Sequence, residues 1–206
     1  MAKPKLPTVD IVDFETKPIQ PAPQYPPVPV GVSIQLADWK APRYYAWGHP
    51  SENNCTRDEA RRALAAVWAG RNGILCHHAK FDMAVAAEHM GLPFPGWERA
   101  HDTMFLLFYR DPYAKALGLK EAAQEILGME PEERDAIRDW AIEQKLMPRT
   151  RKEAGEFIHL APGKMVGRYA NGDIVRTRKL FAKCWPEVVV ERGMSDRKST
   201  RLNSSH

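Results

Sequence analysis

The sequence has few cysteines and no long apolar run. Its three cysteines, Cys55, Cys76 and Cys184, are widely separated and form no CxxC pair. Nowhere do about 18 apolar residues follow one another, which is the length that a transmembrane helix requires. We therefore expect reduced thiols in a cytoplasmic protein that has no membrane partner.

The sequence also lacks a strong excess of charge of either sign. Its net charge is +4 over 206 residues, and the last segment, Asp196–His206 (DRKSTRLNSSH), supplies half of it through three basic residues and one acidic residue. This segment has no periodicity, and it can be written in codons that look like a common sequencing-adapter oligonucleotide. We expect residues 195–206 to be a non-native tail on a domain of residues 1–194; a natural disordered tail is the alternative. The remaining domain is mildly basic, which favours a nucleic-acid partner only weakly.

The hydrophobic pattern predicts a small sheet flanked by helices. Strands are expected at Thr8–Phe14, Gly31–Ala37, Arg43–Trp47 and Ile74–Cys76. Helices are expected at 56–69, 81–90, 102–109, 119–127, 131–145 and 163–184, with Thr56 and Asp102 as N-caps and Pro186 ending the last helix. Six prolines within residues 17–30 predict an extended loop. This order favours a mixed α/β layer architecture.

Two carboxylates at the end of the first strand share one face. Residues i and i+2 of a strand point the same way, so Asp13 and Glu15 lie together, with backbones about 6–7 Å apart. Phe14 faces the opposite way and is assigned to the core. Desolvated like charges at that distance raise each other's pKa or require a cation. Taken alone, the pair favours the simpler interpretation that the strand ends there and both carboxylates are solvated.

Two further motifs add acidic side chains. Asp82 follows the buried strand Ile74–Cys76, although an acid in the first turn of a helix is also ordinary. Tyr169 and Asp173 are four residues apart on the last helix and share a face, the alternative being a core tyrosine beside a surface aspartate. An interior glycine costs a helix about 1 kcal/mol relative to alanine. Gly167, beside this pair, therefore indicates the close approach of another backbone or of a substrate.

The four carboxylates together predict a site for hard divalent cations. The sequence places no cluster of histidines or cysteines at ligand spacing, and oxygen donors suit Mg²⁺ or Mn²⁺. Two such ions about 3.5–4 Å apart can hold both the attacking and the leaving oxygen of a phosphodiester. A glycosidase that uses only the first two acids would leave the other motifs unexplained.

The order of these motifs resembles that of the DEDD 3′–5′ exonucleases of the tyrosine subgroup. The matching residues are Asp13 and Glu15 in VDFET, Asp82 in HHAKFD, and Tyr169 with Asp173 in YANGD. The histidine subgroup would place a histidine five residues before the last aspartate, where this chain has an arginine.

Most of the chain, from residue 7 to about 194, is similar to the proofreading exonuclease domain of phage-type family A DNA polymerases. The segments HDTMFLLFYRDP and LGLKEAAQEILG resemble connecting segments of that domain, and PEVVVERGM resembles the stretch that leads into the polymerase. The resemblance implies a covalently following polymerase domain as partner, in a bacterial or phage-infected cytoplasm. An adapter-derived tail would mean that the natural gene continues beyond it.

The resemblance implies a ribonuclease H-like fold and the stepwise release of nucleoside 5′-monophosphates from the 3′ end of single-stranded DNA. Asp13, Glu15, Asp82 and Asp173 would bind two Mg²⁺ or Mn²⁺ ions, one to activate water and one to stabilise the leaving 3′ oxygen. Tyr169 would orient the attacking water, since a pKa near 10 makes tyrosine a poor general base.

The chain departs from the family pattern at His78, where the family usually has asparagine. We expect an altered substrate contact there, and Thr16, His78 and Phe81 are weaker candidates for substrate binding. The loop of residues 17–30 is a further candidate for lining the groove of the terminal nucleotide. Neighbouring His77 does not share a face with His78, which disfavours a metal site built from the two.

Two other functions remain open from the sequence. One is an RNA-trimming exonuclease of the ribonuclease D type, which would share the fold and the four acids. The other is a catalytically silent module that only binds nucleic acid, which the presence of all four acids and the tyrosine disfavours.

Overall fold

The protein forms five strands and six α-helices, in a computed structural model that describes residues 5–130, 132–151 and 153–191. The strands are β1 (Val9–Thr16), β2 (Pro29–Gln35), β3 (Arg43–Ala46), β4 (Gly73–Cys76) and β5 (Ala100–Asp102). The helices are α1 (Arg57–Ala69), α2 (Ala79–Met90), α3 (Thr103–Arg110), α4 (Leu119–Leu127), α5 (Glu132–Glu143) and α6 (Gly163–Glu191), with a 3-10 helix at Gly155–Leu160. The expected tail, residues 195–206, and the end of the expected domain lie outside the described residues.

The strands form one mixed sheet in the order β3-β2-β1-β4-β5. β1 pairs antiparallel with β2, and β2 pairs antiparallel with β3. β1 also pairs parallel with β4, which pairs parallel with β5. Because β1 and β4 are parallel neighbours, their carboxyl ends meet at one edge of the sheet. The predicted small mixed sheet is confirmed.

The alternation of side chains along β1 divides the core into two layers. Val12 and Phe14 are buried against α1 and α2, which confirms the assignment of Phe14 to the core. Val9 and Ile11 are buried on the other face, against α3, α4 and α6. Because side chains alternate along a strand, Asp13 and Glu15 lie on the same face of β1 as Val9 and Ile11, and they therefore face α6.

A third apolar cluster fixes the amino-terminal half of α6. Tyr44 of β3, Ile137 of α5, Ile158 of the 3-10 helix and Val166 of α6 are all buried in it. Gly167 allows this packing, because a Cβ atom there would lie 3.0 Å from the Tyr44 ring. The close approach predicted at Gly167 therefore occurs, but its partner is a side chain rather than a backbone or a substrate.

Two predicted helix starts are confirmed in atomic detail. Thr56 and Glu59 form a capping box, in which the Thr56 amide donates to the Glu59 carboxylate at 2.7 Å and the Glu59 amide donates to the Thr56 hydroxyl at 3.3 Å. Asp102 caps α3 by accepting a hydrogen bond from the Met104 amide at 2.7 Å.

Several elements differ from the prediction, and three of the differences are larger than a shift of the helix or strand ends or have a clear physical reason. β2 begins at Pro29 rather than Gly31, at a position where proline's missing N–H is tolerated. β5 was not predicted, because its three residues carry no apolar pattern. The predicted end of the last helix is wrong, since Pro186 lies inside α6. Burial of Phe181 and Val188 on either side of Pro186 offsets the backbone hydrogen bond that proline removes.

Within the described ranges, no helix combines the length and the apolarity that crossing a bilayer requires. Even the longest helix, α6, carries charged residues throughout its sequence.

Candidate active site

The carboxyl end of β1 presents the first two candidate acids. Asp13 is partly buried, and Glu15 is only 7% exposed. The pairing of β1 with β2 changes register between Glu15 and Thr16. Such a bulge increases the local twist of a strand and redirects its side chains, and bulges are frequent beside active sites.

Helix α6 brings the third acid to the same point. Carboxylate oxygens of Asp13, Glu15 and Asp173 all lie within 4.8 Å of one another. A hydrogen bond of 2.6 Å from the Ser33 hydroxyl of β2 to the Asn171 side chain fixes this part of α6 against the sheet. The structure thus joins residues that are 160 positions apart in the chain (Asp13 and Asp173).

Asp82 lies beside this group, at the backbone of β1. Its side chain is 1% exposed, and one carboxylate oxygen accepts a hydrogen bond from the Phe14 amide at 3.0 Å. The Asp82 carboxylate therefore reaches the backbone of β1 between Asp13 and Glu15. It lies outside the group of three that could share one ion, but the charge of Asp13 acts on it directly.

Burial and mutual repulsion disfavour ionisation of these acids. Burial, reinforced by the charge of Asp173, raises the pKa of Asp13 to about 8. Burial and the charge of Asp13 also raise the pKa of Glu15 and that of Asp82 well above the usual range. A cation placed among the four carboxyl groups would lower all of these pKa values.

Among the described residues, two basic side chains, Lys120 and Arg176, contact Asp173. Neither was predicted from the sequence as a residue of the site. Lys120 of α4 places its Nζ 3.0 Å from one oxygen of Asp173 and 3.8 Å from the centroid of the Tyr169 ring. Arg176 places Nη1 3.4 Å from the other oxygen, and its Nη2 donates to the Glu130 carbonyl at 2.8 Å. Helical i,i+3 spacing could have identified Arg176, but no local signal connects Lys120 to a residue 53 positions away.

Part of this group opens onto a cleft of about 290 Å³. Its walls include Asp13, Lys120, Tyr169 and Asp173, together with Glu153, which precedes the 3-10 helix. Burial, followed by the charge of Asp173, raises the pKa of Tyr169 well above its usual value, so that its hydroxyl group keeps its proton.

His77 also lines the cleft, whereas its neighbour turns away. Burial lowers the pKa of His77 to about 4, so the ring is neutral near pH 7; its Nδ1 lies 2.8 Å from the Thr103 hydroxyl. His78 is exposed and has left-handed backbone angles, with φ 70° and ψ 54°. Outside glycine, this conformation is most favourable for asparagine and aspartate. The backbone geometry therefore explains why asparagine usually stands at this position in the exonuclease pattern described above.

The weaker substrate-binding candidates lie outside the walls of the cleft. The Thr16 hydroxyl donates to the Lys17 carbonyl at 2.9 Å. The ring of His78 stacks on Phe81, with centroids 6.4 Å apart and planes at 22°. No residue of the loop from 17 to 28 is among those described as lining the cleft. Their contribution to substrate binding stays a prediction.

The donor set fits a hard divalent cation. Asp13, Glu15 and Asp173 offer carboxylate oxygens at close range, and neither histidine nor cysteine belongs to the group. Oxygen-only sites suit Mg²⁺ and Mn²⁺. Ionised carboxylates packed this closely are costly without a cation, and the raised pKa values of Asp13 and Glu15 express that cost.

Comparison with known proteins identifies a family and a fold. The sequence profile of the family described as 3′–5′ exonuclease matches residues 9–189. No curated protein matches the chain significantly. The structure of Brucella melitensis NrnC with bound Mg²⁺ aligns with a TM-score of 0.57 at 17% identity, over 91% of this chain and 76% of that one.

Two structures from Trypanosoma brucei align comparably. The Trypanosoma brucei RNase D complex with RNA U12 gives a TM-score of 0.59 at 13% identity, over 86% of this chain and 55% of that one. The catalytic core of RRP6 from the same organism gives a TM-score of 0.57 at 14% identity, over 91% of this chain and 43% of that one. These alignments confirm the predicted ribonuclease H-like fold.

Proposed function

Because the chain belongs to the 3′–5′ exonuclease family, we propose that it hydrolyses the 3′-terminal phosphodiester of single-stranded nucleic acid and releases nucleoside 5′-monophosphates. The observation that carries the proposal is the convergence of carboxylates from Asp13, Glu15 and Asp173 within 4.8 Å, in a cleft that also holds Tyr169. Asp82, which accepts a hydrogen bond from the Phe14 amide of β1, is proposed as the fourth acid of the site.

The four acids are proposed to hold two divalent cations, Mg²⁺ or Mn²⁺. When bound, such ions would lower the pKa of the attacking water and stabilise the leaving 3′ oxygen. Asp13, Glu15 and Asp173 would offer the ligand oxygens for one ion, and Asp82, which lies outside that group, would contribute to the second. The Mg²⁺ in the NrnC structure, which shares this fold, supports the choice of cation.

Tyr169 is proposed to orient the attacking water. Its hydroxyl group keeps its proton, since the pKa is raised, so it can donate a hydrogen bond but cannot act as a general base near pH 7. Burial of the Tyr169 side chain beside Asp173 restricts its rotation, which would hold the water in one direction for in-line attack.

Arg176 is proposed to fix the orientation of Asp173. Its guanidinium group is 2% exposed and is anchored to the Glu130 carbonyl at 2.8 Å, while it approaches one oxygen of Asp173 at 3.4 Å. A buried and doubly anchored arginine holds a carboxylate in one rotamer, as preorganised sites require.

Single-stranded DNA is the substrate that we propose first. The segments similar to the proofreading domain of family A polymerases support it, and they would make a following polymerase domain the natural partner. Reading the uninterrupted gene downstream of residue 194 tests this partner directly. An open reading frame that encodes a polymerase is expected, and a native stop codon after His206 would contradict it.

RNA is the second candidate substrate, and a specific observation favours it. RNase D, which shares the fold, was solved with RNA U12 bound. Digestion of 5′-labelled DNA and RNA oligonucleotides of the same sequence, in Mg²⁺ and in EDTA, separates the two. A shortening ladder on DNA at least about tenfold faster than on RNA supports proofreading, and the reverse ratio supports RNA trimming. Binding without shortening of either strand would support the silent module.

A further inference from the structure

The ammonium group of Lys120 occupies the cleft beside the candidate metal ligands. Its Nζ lies 3.0 Å from an oxygen of Asp173, and both side chains are about 10% exposed. The ring of Tyr169 covers it from a second direction, at 3.8 Å to the centroid. The chain therefore supplies a cation of its own to the carboxylate cluster.

We propose that Lys120 competes with the divalent cation for Asp173 and sets the affinity of the site for metal. The inference rests on the proposed function, because it takes the carboxylate cluster to be a metal site. It adds a residue that the four-acid pattern does not contain.

While Lys120 pairs with one oxygen of Asp173, that oxygen binds a metal ion less readily. Mg²⁺ binds carboxylate oxygens at about 2.0–2.1 Å in a nearly ideal octahedron, and an ammonium group at hydrogen-bond distance from the same oxygen would intrude on it. The two cations also repel each other at such a separation in a site with little water. Binding of a metal at Asp173 is therefore favoured when Lys120 moves away.

Lys120 can move, whereas the second base beside Asp173 is fixed. Lys120 is the second residue of α4, and the packing of Ala122 and Ala123 against Ile174 of α6 holds the backbone of that helix. The lysine side chain beyond it is a flexible four-carbon stem that faces the cleft. Arg176, by contrast, is almost fully buried and is anchored to a backbone carbonyl.

The charge of Lys120 acts on more than its direct partner. It lowers the pKa of Asp13 and that of Glu15, in opposition to the effect of burial. The lysine thus replaces part of the charge that a metal ion would supply. Lys120 lowers the free energy of the ionised cluster without metal, and binding of a metal ion is therefore less favourable.

Binding of Mn²⁺ alone to the whole chain tests the proposal without any measurement of activity. Mn²⁺ titrations followed by electron paramagnetic resonance or calorimetry would compare the wild type with Lys120→Met, which keeps the length of the side chain and removes its charge. Lys120→Arg restores a charged donor. Lys179→Met is the matched control, since Lys179 is an exposed lysine on α6. Asp13→Asn removes one carboxylate of the site, so the part of the Mn²⁺ binding that this variant loses belongs to the carboxylate cluster.

We expect Lys120→Met to bind Mn²⁺ about tenfold more tightly than the wild type, which corresponds to about 1.4 kcal/mol. Lys120→Arg and Lys179→Met should stay within about threefold of the wild type. Equal or weaker Mn²⁺ binding by Lys120→Met, while Asp13→Asn abolishes binding, would overturn the competition and leave the metal site intact. Mn²⁺ binding by the wild type no tighter than by Asp13→Asn would overturn both the metal site and the competition.

Discussion

At the scale of single residues, the site depends on groups whose charge state differs from the usual one. Tyr169 keeps its proton because burial and the charge of Asp173 raise its pKa. His77 stays neutral because burial lowers its pKa to about 4. The Tyr169 hydroxyl and the His77 imidazole therefore have hydrogen-bonding roles that are fixed around pH 7, whereas the charge of the carboxyl groups depends on pH and on bound cations.

Replacement of Tyr169 by phenylalanine should slow hydrolysis without loosening the metal. The variant keeps the ring beneath Lys120 and removes only the hydroxyl group that would orient water. A loss of about 10- to 100-fold in kcat is expected, with Mn²⁺ affinity within about twofold of the wild type. Single-turnover kinetics and Mn²⁺ titration measure the two effects. Tyr113→Phe is the control, because Tyr113 is 92% exposed; a large fall in Mn²⁺ affinity for Tyr169→Phe would argue for a different role.

At the scale of elements, the backbone at the start of α2 is strained, and hydrogen bonds offset that strain. His78 has left-handed backbone angles, which cost most residues about 1–2 kcal/mol. The Asp102 carboxylate offsets that cost by accepting hydrogen bonds from the His78 amide at 3.1 Å and the Ala79 amide at 2.8 Å. Asp102 therefore fixes the starts of both α2, which carries Asp82, and α3.

Replacement of His78 by glycine should stabilise the protein. Glycine adopts the left-handed region without steric cost, and this gain exceeds the added entropy of the unfolded chain by up to about 1 kcal/mol. Urea unfolding should show the rise in the free energy of unfolding. Ala87→Gly, at an exposed helical position of α2, should lower it by about 1 kcal/mol. A loss of stability in His78→Gly would mean that its ring contact with Phe81 outweighs the strain.

The sequence predicted those features of the elements that follow from local periodicity. Alternation along β1 placed Asp13 and Glu15 on one face, and helical spacing paired Tyr169 with Asp173. Lys120 could not be predicted, because its contact with Asp173 depends on how α4 packs against α6. β5 was missed for a related reason, since three residues without an apolar pattern become a strand only through pairing with β4.

At the scale of the whole molecule, the buried acids link stability to pH and to metal. The folded protein holds a proton on Asp13 up to about pH 8, whereas the unfolded chain releases it near pH 4. Between these values the folded state binds more protons than the unfolded state, so the free energy of unfolding falls as pH rises. His77 has the opposite effect only below its unfolded pKa, near pH 6.5.

Unfolding measured in EDTA between pH 6.5 and 8 isolates this effect. The free energy of unfolding should fall by at least about 1–2 kcal/mol across that window, since each retained proton contributes up to about 1.4 kcal/mol per pH unit and Glu15 and Asp82 also have raised pKa values. Saturating Mg²⁺ should remove the fall, because a bound cation replaces the proton. Asp13→Asn in EDTA should also flatten the dependence. A stability in EDTA that rises with pH over this range would show that the cluster is already ionised.

The carboxylate cluster is proposed to make this chain a metal-dependent 3′–5′ exonuclease. The most direct measurement is digestion of a 5′-labelled single-stranded oligonucleotide by the wild type and by Asp13→Asn, each in Mg²⁺ or Mn²⁺ and in EDTA. The wild type should give a ladder that shortens from the 3′ end and releases nucleoside 5′-monophosphates only with metal. Asp13→Asn should be slower by at least about 1,000-fold while remaining folded by circular dichroism. Equal activity of the two proteins, or undiminished digestion in EDTA, would contradict the account.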